Sequence, residues 1–268
     1  MEIIEKEGKT MKSFWHSLLL AFQFFTVLPV HKELPLTRST ITGMFACLPW
    51  LGALMGTTVA GVLYCLTQWT ASSEVMLAFI VIGLFALWTG GLHLDGFIDM
   101  GDAYFSYRDR DKRLEILDDP RVGAFGVLSI LFLLFGKFVV LHELFVQNKF
   151  ALWMVVFIPF LTRVGMSFYF MSLNCSKEKG LAYFFQSHIN VKLLKIMMLL
   201  SLLLVMPVVL IITKFSMLPI LLVIVLAFAL VIFRQFTLRN FGGVSGDLLG
   251  ASIEGVEVVL WVTLLLCA

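Results

Sequence analysis

Residues 75–102 read VMLAFIVIGLFALWTGGLHLDGFIDMGD, an apolar run that passes directly into an acidic motif. The apolar part, 75–94, is long enough to cross the hydrocarbon core of a bilayer. Asp95, Asp99 and Asp102 follow at positions i, i+4 and i+7. On a helix this spacing places three side chains within about 60° of one another. The stretch therefore predicts a membrane helix with an acidic stripe at its end.

The whole chain has the composition of an integral membrane protein. Of its 268 residues, 60% are hydrophobic and 14% are charged, whereas soluble domains typically carry about 25% charged residues. The apolar excess is spread along the full length, so a single buried core does not explain it. We predict an all-α polytopic membrane protein in which residues 1–268 form one domain in the lipid bilayer. The net charge of +2 is too small to suggest a nucleic-acid partner, and we expect none.

Seven apolar runs are long enough to span the membrane. They cover residues 41–66, 75–94, 122–142, 150–172, 192–212, 216–233 and 248–268. The earlier stretch 14–30 is shorter, and it contains His16, Gln23 and Pro29. We interpret this stretch as an interfacial or re-entrant helix, with an eighth crossing as the alternative.

Lysine and arginine residues indicate the orientation of these spans. One set of alternate loops holds thirteen of them, whereas the other set holds only Lys149 and Lys214. Cytoplasmic loops carry the excess of positive charge in membrane proteins. The acidic stripe and the charged loop that follows it are therefore expected on the cytoplasmic side.

The acidic stripe is a candidate metal site. Three like charges on one helix face repel one another, and a cation between Asp95, Asp99 and Asp102 would remove that cost. Carboxylate oxygens suit Mg²⁺ or Mn²⁺. The simpler alternative is a solvated helix end. His93 lies on roughly the opposite face, where a packing role is at least as good an interpretation as ligand binding.

A second acidic stripe precedes the last apolar run, in the segment GGVSGDLLGASIE that starts at Gly242. Asp247, Gly250 and Glu254 recur at i, i+3 and i+7 on one helix face. Asp247 has an alternative role as the N-cap of the last helix. Glu254 lies about two turns into a membrane helix, where a carboxylate is costly unless it has a partner. We expect this stripe to face the first one.

Several basic residues are candidates for holding a phosphate group. Arg108 and Arg113 lie in the charged loop, for which topology alone is the alternative explanation. Arg121 precedes a predicted helix start, and helix N-termini favour anions. Arg163 lies within an apolar run and is a functional candidate by default. Lys137 is expected to reach the outer interface by snorkelling.

These motifs together resemble the cobalamin synthase family, the adenosylcobinamide-GDP ribazoletransferases. The resemblance extends over nearly the whole chain, and the combination is more specific than any one motif. The matching residues are Leu20–Val30; Gly90–Gly96 with Asp99 and Asp102; Arg113–Leu117 with Asp118, Arg121 and Gly123–Gly126; and Gly242–Asp247 with Gly250 and Glu254.

The resemblance implies a multi-pass enzyme of a bacterial or archaeal cell (inner) membrane that requires Mg²⁺ and faces the cytoplasm. Its substrates would be adenosylcobinamide-GDP and α-ribazole or α-ribazole 5′-phosphate, with GMP released. A homo-oligomer or other cobalamin-assembly enzymes would be its protein partners. The predicted metal ligands are Asp95, Asp99 and Asp102; the predicted catalytic residues are Asp102, Asp247, Arg121 and Arg163; and the predicted substrate-binding residues are His93, Arg108, Arg113, Arg121, Gly243 and Glu254.

Two other functions remain as alternatives. The aspartate pattern is similar to that of the CDP-alcohol phosphotransferases, which act on lipids. This chain lacks the Ala-Arg that follows Asp-Gly-x-x in that group, and it lacks the later aspartates at the same spacing. A membrane transporter is the second alternative. A transporter would place its acids near the bilayer midplane, whereas these acids gather at one interface.

Overall fold

The computed structural model describes the backbone of residues 2–268 and the side chains of residues 12–268. Over this part of the chain, the regular secondary structure is helical, and β structure is limited to an isolated bridge between Cys175 and Val244. The helices are α1 (Glu2–Phe25), α2 (Arg38–Trp69), α3 (Glu74–Thr89), α4 (Leu92–Phe105), α5 (Arg110–Leu117), α6 (Ala124–Val146), α7 (Leu152–Ser172), α8 (Gly180–His188), α9 (Val191–Ile212), α10 (Leu218–Phe241) and α11 (Gly246–Cys267).

Six of the described helices are long and apolar enough to cross a membrane, namely α2, α6, α7, α9, α10 and α11. The pair α3 and α4 is a seventh candidate span, with a bend of 94° between the two helices. The predicted all-α polytopic fold is confirmed. Helix α7 lies at the centre of the bundle, whereas α9 and α10 expose most of their surface.

The apolar run at 75–94 is not one continuous helix. Helix α3 ends at Thr89, and the chain turns through Gly90 and Gly91, whose φ angles are 62° and 78°. Glycine adopts this left-handed conformation without the steric cost that a Cβ atom would add. The acidic stripe therefore lies on a separate helix, α4, and its direction is independent of α3.

Helix α1 runs alongside α2 in the same direction. The Oγ atom of Ser13 lies 2.9 Å from that of Ser39, and Ser17 contacts Gly43 four residues further along both helices. Because the two consecutive helices are parallel, residues 26–37 must run back along α1 before α2 starts. This geometry favours the re-entrant interpretation of 14–30 over an additional crossing.

The loops at one end of the bundle are joined by polar contacts. The Nζ atom of Lys177 lies 2.6 Å from the Oδ2 atom of Asp118 and donates to the carbonyl of Leu114 at 2.6 Å. The N–H of Val244 donates to the carbonyl of Asn174 at 2.9 Å. The segments before α6, after α7 and before α11 therefore meet at this end, which we call the loop end.

Candidate active site

The two acidic motifs meet where α4 packs against the first turns of α11. A Cβ atom added at Gly96 would overlap the main chain of Asp247, and one added at Gly250 would lie 3.1 Å from the Cα atom of His93. Small residues allow helix backbones in membranes to approach this closely. The expectation that the second acidic stripe faces the first is therefore met at Asp247.

The start of α11 leaves the carboxylate of Asp247 free of a capping role. Ser245 is the N-cap, and its Oγ atom accepts from the N–H of Leu248 at 3.3 Å. The same hydroxyl lies 3.3 Å from the Oδ2 atom of Asp247 and donates to it. The alternative role of Asp247 as the N-cap is wrong. Asp247 lies in the first turn, where the positive end of the helix dipole favours a carboxylate.

A cavity of about 380 Å³ opens beside this contact at the loop end. Asp95 of α4 and Asp247 of α11 lie in its wall together with the buried His93. Lys177 and Lys179 also border it. Its volume is in the range of small-molecule pockets. The cavity thus brings together one predicted metal ligand, one predicted catalytic residue and one predicted substrate-binding residue.

Four carboxylates gather at this contact between helices. Asp95, Asp102 and Asp247 all lie close enough to Asp99 to act on it by Coulomb repulsion. An all-oxygen donor set of this kind suits Mg²⁺, and a cation would relieve the repulsion. Within residues 12–268, no three His, Cys, Asp or Glu side chains form a ready-made metal site. The assignment of Asp95, Asp99 and Asp102 as ligands stays a prediction.

Asp102 also links α4 to the start of α6. Its carboxylate accepts from the N–H of Gly123 at 2.9 Å and from the N–H of Gly126 at 3.2 Å. The predicted anion site at this helix N-terminus is thus filled by a carboxylate of the protein itself. The roles of Asp102 as a metal ligand and as a proton acceptor stay predictions.

Arg121 and Arg108 are exposed and lie outside the cavity. The guanidinium of Arg121 donates to Asp119 through Nε at 2.9 Å and through Nη2 at 2.7 Å, and its side chain is 87% exposed. These hydrogen bonds lower the pKa of Asp119 to about 2 and raise the pKa of Arg121. The structure therefore does not bring either arginine to Asp95, and their substrate roles stay predictions.

Arg113 and Gly243 help to hold the loop end together. The guanidinium of Arg113 lies 5.3 Å from the ring centroid of Tyr104, and Nη1 donates to Oδ1 of Asn240 at 2.6 Å. A Cβ atom added at Gly243 would overlap the main chain at Asn174. Neither residue borders the cavity, although Gly243 immediately precedes residues that do.

Arg163 and Glu254 belong to a buried cluster within the membrane-spanning part. The Nζ atom of Lys137 lies 2.5 Å from Oε2 of Glu254 and 3.5 Å from Oε1 of Glu257. Arg163 donates to the carbonyl of Pro159 at 3.2 Å and is close enough to both glutamates for Coulomb attraction. We call Lys137, Arg163, Glu254 and Glu257 the buried charge network. Its formal charges sum to zero.

The buried charge network changes the interpretation of three residues. The snorkelling prediction for Lys137 is wrong, because its ammonium group is buried and bound by two glutamates. Glu254 has the partner that its depth in the membrane requires. The structure does not bring Glu254 or Arg163 to the cavity wall, so their substrate and catalytic roles stay predictions.

Two groups of residues that border the cavity were not identified from the sequence, namely two lysines and three phenylalanines. Lys177 and Lys179 contributed only to the charge count of the loops, although both border the cavity. Phe24, Phe45 and Phe185 come from three different helices and also line it. In the sequence these phenylalanines lie in apolar or short segments, with no spacing that separates them from lipid-facing residues.

The fold and the site define a polytopic helical membrane protein with an acidic cavity at one end of its bundle. The sequence model of the family described as cobalamin-5-phosphate synthase matches residues 17–265. The chain therefore belongs to the cobalamin-5-phosphate synthase family, and the resemblance seen in the motifs is confirmed.

Curated relatives agree with this family. The chain is 35% identical over 251 residues to the adenosylcobinamide-GDP ribazoletransferase of Geobacillus sp. strain WCH70, with 94% of this chain and 95% of the relative covered. It is 31% identical over 259 residues to the protein of the same name from Halalkalibacterium halodurans, with 94% and 95% covered. The relative from Clostridioides difficile strain 630 is 34% identical over 212 residues, with 75% and 80% covered. No solved structure matches the chain.

Proposed function

We propose that this protein is an adenosylcobinamide-GDP ribazoletransferase. It joins adenosylcobinamide-GDP to α-ribazole or α-ribazole 5′-phosphate and releases GMP, in the last assembly stage of cobalamin biosynthesis. Family membership and the names of the relatives support this function, and they do not support a lipid phosphotransferase or a transporter. The observation that carries the site assignment is the convergence of Asp95 and Asp247 on one cavity.

The reaction is a substitution at phosphorus. The acceptor hydroxyl oxygen bonds to the phosphorus that carries cobinamide, and the bond from this phosphorus to the bridging pyrophosphate oxygen breaks. GMP leaves with the bridging oxygen, and the hydroxyl proton passes to a carboxylate. Asp247 is the better proton acceptor because it borders the cavity, whereas both oxygens of Asp102 already accept backbone hydrogen bonds.

We propose Mg²⁺ as the cofactor, with Asp95 and Asp99 as its main ligands and Asp102 as a further one. The ion would neutralise charge on the pyrophosphate, which is the chemistry that bound metals supply in phosphoryl transfer. The oxygen-only donor set and the mutual repulsion of these acids support this assignment. Chelation should abolish GMP release, and added Mg²⁺ should restore it.

We further propose that the cavity faces the cytoplasm from the cell inner membrane. The loop end carries the basic loops, and positive loops stay on the cytoplasmic side. A cytoplasmic cavity also suits water-soluble nucleotide substrates. Association with further copies or with other cobalamin-assembly enzymes stays a prediction.

The test uses purified protein in nanodiscs with adenosylcobinamide-GDP, an acceptor and Mg²⁺, and it measures GMP and the joined product. We expect Asp95→Asn and Asp247→Asn to slow GMP release roughly 100-fold or more, because each removes a charged group at the reacting phosphate. Asp119→Asn is the matched control, since Asp119 pairs with Arg121 outside the cavity, and it should keep the wild-type rate.

Each outcome bears on a separate claim. A wild-type protein that releases no GMP with either acceptor would overturn the proposed function. A full rate in both Asp95→Asn and Asp247→Asn, with wild-type activity present, would overturn the site while leaving the function intact.

A further inference from the structure

The inner part of the cavity is lined by aromatic rings. The rings of Phe24 and Phe185 meet edge to face with centroids 5.2 Å apart, and those of Phe45 and Phe185 meet similarly at 5.9 Å. Aromatic side chains in such arrangements offer faces and edges on which another flat ring packs well. The inner cavity therefore suits a planar heteroaromatic base.

Lys177 and Lys179 border the cavity beside Asp118. Lys177 is held by Asp118 and by the Leu114 carbonyl, at 2.6 Å in each case. The Nζ atom of Lys179 lies 3.8 Å from Asp118, which is beyond hydrogen-bond distance, and its side chain is 76% exposed. An ammonium group has three donors, so Lys179 has donors available for an anion that enters the cavity.

The first turn of α8 adds donors at the same place. Gly180, Leu181 and Ala182 border the cavity, and α8 starts after Lys179 without a side-chain cap. The first N–H groups of a helix lack partners within the helix. An anion beside Lys179 would therefore be near these N–H groups as well as the lysine ammonium.

The cavity is large enough for only one of the two substrates of the proposed reaction. A volume of about 380 Å³ is in the range that holds one small molecule, and it is too small for a corrinoid that carries a nucleotide. Asp95 also borders a second cavity of about 640 Å³ together with Gly90 and Gly91. Asp95 is therefore also open to a donor pyrophosphate from this second cavity.

We propose that the aromatic cavity is the acceptor site, and that Lys179, assisted by Lys177, selects the 5′-phosphorylated acceptor over the riboside. The base lies among the phenylalanines, the phosphate lies at the lysines, and the ribose hydroxyls lie between them beside Asp95 and Asp247. This assignment rests on the proposed function, since it names the acceptor of that reaction.

The test compares KM and kcat for α-ribazole 5′-phosphate and for α-ribazole in wild-type protein and in Lys179→Gln. We expect Lys179→Gln to raise KM for the phosphorylated acceptor roughly tenfold, because one charge-assisted contact is lost. Its kcat and the KM for the riboside should stay at wild-type values. Raised salt should increase the wild-type KM for the phosphorylated acceptor only.

Three variants complete the design. Lys179→Arg keeps the charge and should keep the preference, and Lys192→Gln removes an exposed lysine outside the cavity and should change neither KM. Phe24→Leu should raise KM for both acceptors, because it removes part of the surface for the base.

Equal effects of Lys179→Gln on both acceptors, or no effect, would overturn the phosphate assignment. An unchanged KM in Phe24→Leu would overturn the base assignment. GMP release by the wild type is the separate readout for the proposed function.

Discussion

Single residues in the buried charge network show how a charge is tolerated within a membrane bundle. Lys137 contacts Glu254 and Glu257 from α6, while Arg163 approaches the same glutamates from α7. Burying an unpaired charge is expensive, whereas a neutral set of paired charges is tolerated. The identity of each residue therefore depends on the other three.

We predict that Lys137→Met lowers the free energy of unfolding by about 3–5 kcal/mol, because it leaves two buried glutamates with one arginine. Thermal unfolding in detergent measures this change. Lys195→Met, at an exposed site on α9, is the matched control and should have little effect. The double variant Lys137→Met with Glu254→Gln restores neutrality and should recover part of the loss. An unchanged melting temperature in Lys137→Met would contradict the prediction.

Part of the cavity lining could be predicted from single residues. Asp95 was a candidate because acids at i, i+4 and i+7 share one helix face, and it borders the cavity. The aromatic cavity wall was not recognisable. Phe24 and Phe185 lie on different helices, and the sequence contains no signal for their contact.

At the level of helices, the packing of α4 on α11 determines the site. Gly96 brings the backbone of α4 against the main chain of Asp247. The bend at Gly90 and Gly91 aims α4 in this direction after α3 ends. Hydropathy alone extended the predicted span 75–94 through the turn and into the start of α4, because the turn needs only two residues.

We predict that Gly96→Ala reduces GMP release strongly while the helical content is retained. The added methyl group would overlap the Asp247 backbone, so α4 and α11 must separate and the two acids move apart. Circular dichroism and the GMP assay measure the two effects. Gly83→Ala is the control: a Cβ atom there meets nothing within 4 Å, and alanine favours a helix over glycine. Equal activities in the two variants would show that close packing at Gly96 is unnecessary.

At the level of the whole molecule, the cavity and the basic loops lie together at the loop end. Short helices α5 and α8 lie in these loops. Because basic loops stay on the cytoplasmic side of a membrane, this asymmetry predicts that the loop end lies in the cytoplasm.

We predict that Glu178→Cys reacts with a membrane-impermeant maleimide only in inside-out vesicles, whereas Asn148→Cys reacts only in right-side-out vesicles or cells. Both positions are exposed, and they lie in loops at opposite ends of the bundle. Cys267 is exposed, and the free cysteines Cys65 and Cys175 are half-buried, so the background replaces all three with serine. The reverse pattern would place the cavity outside the cell.

The sequence by itself determined the helical membrane class, most of the spans, the acidic motifs and the family. Each of these depends on residues that are close in the chain or on a motif that can be recognised in the amino-acid sequence. Only the tertiary structure decided that Ser245 and not Asp247 caps α11, that Lys137 is buried in an ion pair, and that Lys177 and Lys179 border the cavity. These features depend on contacts between distant segments, and local hydropathy is the same whichever helices become neighbours.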